Sequence, residues 1–160
     1  MPSISLQQAA DAITTAAGWN AALPDQEGIF HFRLEGDIHM ELFSPEGRTG
    51  VLRGDLGPLP QEQNDAEELL KRCAQKVVAI CKKRKSVLSV ADGHLHLTRL
   101  VPLNDVTCFP DEARDFLNDF VWWRHQLETG QGMGINSSPF SFSSMSNWGS
   151  KRLLVRRCDN

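Results

Sequence analysis

Apolar and polar residues alternate most clearly in the stretch IFHFRLEGDIHMEL, residues 29–42. Apolar side chains take every second position on both sides of Gly36 and Asp37. A period of two places successive side chains on opposite faces of a strand, and glycine supplies the positive φ of a tight turn. The stretch therefore predicts a β-hairpin with one apolar face, which we expect helices to cover.

The segments on either side of this hairpin predict a helix and a third strand. Residues 3–17 carry apolar and small residues at helical spacing, with Ser3 or Ser5 as the N-cap and Gly18 as the stop. After the hairpin, the turn SPEG at 44–47 leads into a strand over 49–56, which two glycines interrupt. Together these segments predict a helix followed by a three-strand meander.

A long helix is predicted after the sequence GPLP, over residues 61–84. Its acidic residues come early and the basic run KKRK, residues 82–85, closes it, which is the charge order that complements a helix dipole. A basic run also suits an acidic partner or nucleic acid. We interpret it as a solvated helix end, because that needs no partner.

A second hairpin is predicted by two short strands, 86–91 and 94–101, around the Asp-Gly pair at 92–93. His94 and His96 fall on the same face of the second strand, an arrangement that some metal sites use. Zinc sites take three or four ligands, and the sequence offers no third ligand here. We therefore predict no metal site and interpret both histidines as facing solvent.

A third helix is predicted over residues 111–128, with a wide apolar face and acidic residues at its start. Two adjacent tryptophans cannot share the centre of one helix face. Trp123 continues the apolar face and is expected to pack on the sheet. Trp122 is expected at a rim or a partner surface, where an amphipathic side chain is suited.

The character of the chain changes after this helix. We predict a folded domain over 1–128 and a flexible Ser- and Gly-rich tail with a basic end over 129–160. The alternative is a tail that becomes ordered on a partner, because some unstructured segments fold when they bind. Its anchors would then be Phe140, Phe142 and Trp148.

Bulk properties narrow the class of protein. A chain of 160 residues suits one main domain, and a net charge of −3 argues against a general nucleic-acid binder. No apolar run approaches the roughly 20 residues of a membrane span, and the N-terminus lacks the pattern of a secretory signal. We expect a cytoplasmic protein that neither binds nucleic acid nor inserts into a membrane.

The four cysteines are expected to be reduced thiols. Cys73, Cys81, Cys108 and Cys158 show no CxxC spacing. The first two fall on one predicted helix, about 12 Å apart along its axis, which is too far for a disulfide.

Catalytic signatures are absent from the sequence. The glycines between 130 and 134 neither follow a strand nor open a convincing helix, and no GxSxG motif occurs. The carboxylate pairs Glu35 with Asp37 and Glu67 with Glu68 fall at a turn and on a solvated helix face, where burial would not tune a pKa. We predict a binding protein with no catalytic residues and no cofactor, rather than an enzyme.

The order α-β-β-β-α-β-β-α resembles the class I chaperones of bacterial type III secretion, the Tir-chaperone (CesT-like) family. The resemblance is carried by FHFRLEGDIHMELF, GVLRGDLGPLP, SVLSVADGHLHLTRLVPL and FLNDFVWWRHQLE, within residues 3–127. It implies an α+β fold, in which an antiparallel sheet of about five strands packs with helices in a homodimeric α/β sandwich. The family's usual chain stops near the third helix, so the tail falls outside the resemblance.

The resemblance also implies two contact surfaces. The homodimer would form through the second helix and the strand that follows it. The residues implied at this interface are Leu69, Leu70, Cys73, Val77, Ile80, Val87, Leu88 and Val90.

The partner implied is a secreted effector protein, whose extended N-terminal region wraps around the dimer and is handed to the secretion ATPase. We expect the effector to contact the first helix and the outward face of the first strand. The candidate contacts are Leu6, Ile13, Ile29, His31 and Arg33.

Two rival interpretations remain open at this stage. One is a non-secretory regulatory or stress-related protein of the same fold, which would prefer a folded partner or none. The other is a small enzyme whose site forms across the dimer from His94, His96 or Cys108.

Overall fold

The computed structural model describes residues 4–80 and 84–130. Within these ranges the helices are α1 (Leu6–Ala17), α2 (Gln63–Ile80) and α3 (Phe109–Gly130), and a 3₁₀ turn, Val106–Cys108, precedes α3. The strands are β1 (Phe30–Leu34), β2 (Ile38–Phe43), β3 (Thr49–Pro58), β4 (Val87–Ala91) and β5 (His94–Pro102). The predicted element order is confirmed.

All five strands form one antiparallel sheet in the order β1-β2-β3-β5-β4. The first three strands make the expected meander. The second hairpin then joins it through β5, so β1 and β4 are the two edges of the sheet. This arrangement confirms the predicted α+β fold.

The first hairpin turns as its sequence predicts. Leu34 pairs with Ile38, so the turn contains three residues, 35–37, and two of them, Gly36 and Asp37, have positive φ, 78° and 58°. Phe32 lies opposite Met40, and both side chains are fully buried. The guanidinium of Arg124 in α3 donates a hydrogen bond of 2.7 Å to the Gly36 carbonyl, which ties the turn to the helix.

Helix α1 begins with a capping box. The Ser5 hydroxyl accepts from the Gln8 backbone N–H, and the Gln8 side chain accepts from the Ser5 backbone N–H. The helix ends at Gly18, whose φ of 69° is left-handed. Small residues, Ala9 and Ala10, are fully buried on its inner face and let the helix lie close to its neighbours.

Helix α3 supplies the large aromatic residues of the core. Phe116, Phe120 and Trp123 are buried, and a Cβ at Gly54 of β3 would collide with the Phe120 ring. Trp122 is only partly buried and carries the Arg84 guanidinium 4.7 Å above its ring. Trp123 is thus buried and Trp122 lies at a rim, as predicted. Gly54 is needed in β3 because it leaves room for the Phe120 ring.

Several boundaries differ from the sequence predictions. Arg84 lies outside α2, which ends at Ile80 in the described part of the chain. Helix α3 begins at Phe109, two residues earlier than predicted. Pro110 is tolerated there, because a proline in the first turn loses no intrahelical hydrogen bond. The helix also runs on to Gly130, so the first two residues assigned to the tail are helical.

Some predictions concern residues that the structure does not describe. These are Cys81, Cys158, the remainder of the tail and its three aromatic anchors. Among the helices of the described ranges, none is both long and apolar enough to cross a membrane.

Candidate functional site

An apolar groove runs between α2 and β4. Helix α2 has 18 residues but buries only Leu69 and Cys73, so the described part of the chain leaves most of its apolar stripe uncovered. The groove has a volume of about 560 Å³. We call it the α2–β4 groove; its main apolar residues are Leu70, Cys73, Ala74, Val77, Val78, Ile80, Val87, Leu88, Val90, Leu95 and Trp123.

The open side of this groove is an edge of the sheet. Among the described strands, β4 pairs only with β5, and both of its valines are exposed. Val87 is 65% exposed, Val90 is 49% exposed and Val77 on the facing helix is 45% exposed. Contiguous apolar surface of this kind marks a protein-binding site more often than a free surface.

A buried charge network positions the chain where it enters β4. The Asp119 carboxylate of α3 accepts from Arg84 at 2.7 Å and from the Ser86 hydroxyl at 2.6 Å. Arg99 of β5, only 3% exposed, lies 3.5 Å from Asp119 and also pairs with Glu112. Paired and hydrogen-bonded charges are tolerated in an interior, so this network anchors β4 to α3.

This network corrects the interpretation of the basic run. Arg84 was expected in a solvated helix end, but its guanidinium is held by Asp119 and lies over Trp122. The neighbouring Lys85 is largely exposed, at 3.6 Å from Glu112. The sequence carries no signal for these contacts, because the partners are distant along the chain.

The residues implied at the dimer interface fall into two groups. Leu69 and Cys73 pack into the core of the single chain. The other six are reachable from solvent along the α2–β4 groove and its rim. They are Leu70, Val77, Ile80, Val87, Leu88 and Val90.

The candidate effector contacts also divide. Ile13 is 0% exposed in the core, so its side chain reaches no surface of the folded chain. This burial corrects its placement among surface contacts: Ile13 lies on the face of α1 that packs inward with Ala9 and Ala10. The remaining candidates are half-buried or exposed, namely Leu6, Ile29, His31 and Arg33.

A polar cluster occupies the outward face of β1 and β2. His31 Nδ1 lies 3.3 Å from His39 Nε2 and 3.6 Å from Glu41 Oε1. His31 Nε2 lies 2.7 Å from the Asp25 carboxylate, and this hydrogen bond is the main cause that lowers the pKa of Asp25. Burial lowers the pKa of His39. The histidine pair that stands out in the sequence is His94 with His96, and this cluster was not foreseen.

The residues of the rival enzyme hypothesis do not converge within one chain. His94 and His96 lie near the start of β5, and Cys108 follows its far end, roughly 25 Å away at 3.3 Å per strand residue. Burial, Asp105 and Glu112 all raise the pKa of the Cys108 thiol, so it is a poor nucleophile. The four carboxylates considered as acid–base pairs are exposed.

Comparison with known proteins agrees with this geometry. Residues 13–124 match the model of the Tir chaperone protein (CesT) family. No curated protein sequence gives a significant match.

Three of the solved structures with a similar fold are complexes. The Yersinia pestis type III secretion chaperone SycH, bound to a fragment of YscM2, has 13% identity and a TM-score of 0.56, over 77% of this chain and 99% of its own. The HopA1–SchA chaperone–effector complex has 16% identity and a TM-score of 0.53, over 72% of this chain and 90% of its own. The ExsC–ExsE complex has 13% identity and a TM-score of 0.57, over 76% of this chain and 92% of its own. At these identities the likeness supports the fold.

Proposed function

Because the chain belongs to the Tir chaperone protein (CesT) family, we propose that it is a type III secretion chaperone. It binds the extended N-terminal region of a secreted effector and keeps that protein soluble and competent for secretion. The family match carries this proposal, since it spans the chain from within α1 to within α3. The function is one of binding, with no catalytic step.

The working unit of this proposal is a homodimer formed through the α2–β4 groove. The groove unites an exposed helix stripe with an unpaired sheet edge, and no residue of 4–80 or 84–130 covers either of them. A second copy would bury both at once. Self-complementary apolar surfaces of this kind are typical of two-fold symmetric dimers.

The effector is proposed to bind at the opposite edge of the sheet, along β1 and the adjoining face of α1. Backbone groups on the free side of an edge strand can pair with an extended peptide, and alternate side chains then select its sequence. Pro24 already bridges to Phe30 and covers the start of this edge. Among the described residues, the stretch of this edge that nothing pairs with is therefore 31–34, which contains His31 and Arg33.

The proposal also places the dimer in the bacterial cytoplasm, where it hands its effector to the secretion ATPase. Binding an extended segment needs no nucleotide, so the energy for export would come from the ATPase. The observation that supports this sequence of events is the family membership alone.

The test is to purify the tagged full chain from its native cytosol, identify the proteins that co-purify, and weigh the complex by light scattering. We expect one larger protein, bound through its N-terminal region to two copies of this chain. A chain that purifies alone as a dimer would favour the non-secretory rival. A monomer would remove the proposed dimer.

Variants test the interface itself. Val87→Lys combined with Val90→Lys places two charges in the α2–β4 groove and should give a monomer. Leu100→Lys is the matched control, because Leu100 is 66% exposed on β5, outside the groove. Equal loss of the dimer in both variants would contradict the proposed interface.

A further inference from the structure

Three side chains on the outward face of the first hairpin bring metal-ligating atoms together. They are His31 from β1 and His39 and Glu41 from β2. One ligand atom of each lies within 4.8 Å of the other two. This cluster is independent of the α2–β4 groove, which lies at the other end of the sheet.

The register of the hairpin sets this proximity. His31 lies directly opposite Glu41, and His39 lies two residues before Glu41, opposite Arg33. Residues two apart on a strand share a face, and directly opposed or diagonal partners are near enough for long side chains to meet. The ligand atoms are therefore presented by rigid paired strands rather than by a loop.

The separations match those of a tetrahedral zinc site. Zinc binds imidazole nitrogen and carboxylate oxygen at roughly 2.0–2.2 Å, so neighbouring ligand atoms stand about 3.3–3.6 Å apart. The His31 Nδ1 distances to His39 Nε2 and Glu41 Oε1 are 3.3 and 3.6 Å. The ligand atoms of the remaining pair, His39 with Glu41, lie within 4.8 Å of each other.

The surrounding groups prepare these atoms for a cation. In the tautomer of His31 that donates from Nε2 to the Asp25 carboxylate, 2.7 Å away, Nδ1 carries no proton. That leaves Nδ1 free, as in the carboxylate–histidine–metal arrangement of zinc proteins. Arg53 binds Oε2 of Glu41 at 2.7 Å and leaves Oε1 toward the histidines. The charged groups of this face are thus already oriented.

We propose that His31, His39 and Glu41 bind one zinc ion, with Asp25 orienting His31 and water completing the coordination. The partial exposure of all three ligands leaves room for that water. Two histidines and a carboxylate suit zinc better than magnesium or calcium, which prefer oxygen ligands. The inference concerns the free chain and does not depend on the proposed chaperone function.

The first experiment titrates the full, metal-free chain with zinc in competition with a chromophoric chelator. We expect one zinc ion per chain. His39→Gln and Glu41→Gln should each weaken binding at least about tenfold, and Asp25→Asn should do so by about 10–100-fold, as expected for a group that orients a ligand. His94→Gln is the matched control, because His94 is also a strand histidine paired with a carboxylate, Asp55, at 2.9 Å. It should bind zinc like the wild type.

The second experiment replaces zinc with cobalt in the wild-type chain and records its absorption spectrum. Nitrogen and oxygen ligation gives visible d–d bands without a thiolate-to-cobalt charge-transfer band. Because this spectrum needs no variant, a folding defect in the variants leaves the proposal testable. A thiolate band, no binding by the wild type, or unchanged binding by folded His39→Gln would each overturn it.

Discussion

Replacing Gly54 by alanine tests how tightly α3 packs on the sheet. Gly54 lies on β3, between Met40 on β2 and Leu97 on β5, and its φ is not positive. Any penalty therefore comes from packing and not from the backbone. A Cβ there would lie 2.6 Å from Phe120 Cε2 and 2.7 Å from Cδ2, closer than real carbon atoms approach.

The magnitude follows from how little the ring can move. Phe120 is 2% exposed and packs against Phe116, with ring centroids 6.4 Å apart. Overpacking a filled core costs about 1–3 kcal/mol, while alanine gains about 0.4–1 kcal/mol by restricting the unfolded chain. At the midpoints of these two ranges, the net loss in the free energy of unfolding is expected to be about 1.3 kcal/mol.

Urea unfolding at one fixed chain concentration measures this loss. Gly50→Ala is the graded control, because its Cβ would lie 3.1 Å from the Phe109 ring and should cost less. Phe120→Leu makes room beside residue 54, so Gly54→Ala/Phe120→Leu should lose less stability than the two single variants added together. A Gly54→Ala chain as stable as the wild type would refute the packing argument.

Three further predictions concern charge and ionisation. Asp119→Ala leaves the buried arginine of β5 short of a partner and should cost about 3–5 kcal/mol in urea unfolding, against less than about 1 kcal/mol for the exposed Asp111→Ala; equal losses would contradict the network. The raised pKa of Cys108 predicts slow alkylation at neutral pH, and Asp105→Ala should accelerate it in peptide mapping; an unchanged rate would exclude that cause. The lowered pKa of His39 means that its stabilising effect is present above the unfolded value of 6.5 and is lost as pH falls below it. In chelator-treated buffer, the free energy of unfolding of His39→Gln should therefore fall less than that of the wild type between pH 7 and about 5. Parallel plots of the free energy of unfolding against pH would contradict this.

The elements of the fold were predictable because their signals are local. Alternation, the Gly36-Asp37 turn and the Ser5 cap each act within a few residues, and each appears in the structure. The pairing of β3 with β5 was not predictable in this way, because it depends on contacts between residues that are distant in sequence. Arg99 shows the limit most clearly: it occupies a buried position of β5, and only the acidic residues of α3 explain why it is tolerated there.

The candidate sites were predictable to a smaller extent. The apolar stripe of α2 identified the residues that line the groove, because helical spacing alone places them on one face. Which of them the chain buries itself, such as Leu69, depends on where α3 lies. The cluster around His31 was missed because it needs the strand register. That register was within reach: the alternation places Leu34 and Ile38 on the same face, which leaves residues 35–37 in the turn, and counting back along both strands then pairs His31 with Glu41.

Strand β4 lacks the usual safeguards of a sheet edge. Natural edge strands are commonly interrupted by a charge, a proline or a bulge, which stop unrelated strands from adding to them and so suppress aggregation. The sequence of β4, VLSVA, contains neither a charge nor a proline, and its register with β5 is regular. Because no described strand pairs with the free side of β4, we expect this edge to adhere to other strands until something covers it. The solubility of the chain at high expression should depend on how soon that cover arrives. We expect the Val87→Lys/Val90→Lys chain to be monomeric and yet to precipitate less than the wild-type chain, when the wild-type chain is first diluted until it dissociates and is then concentrated.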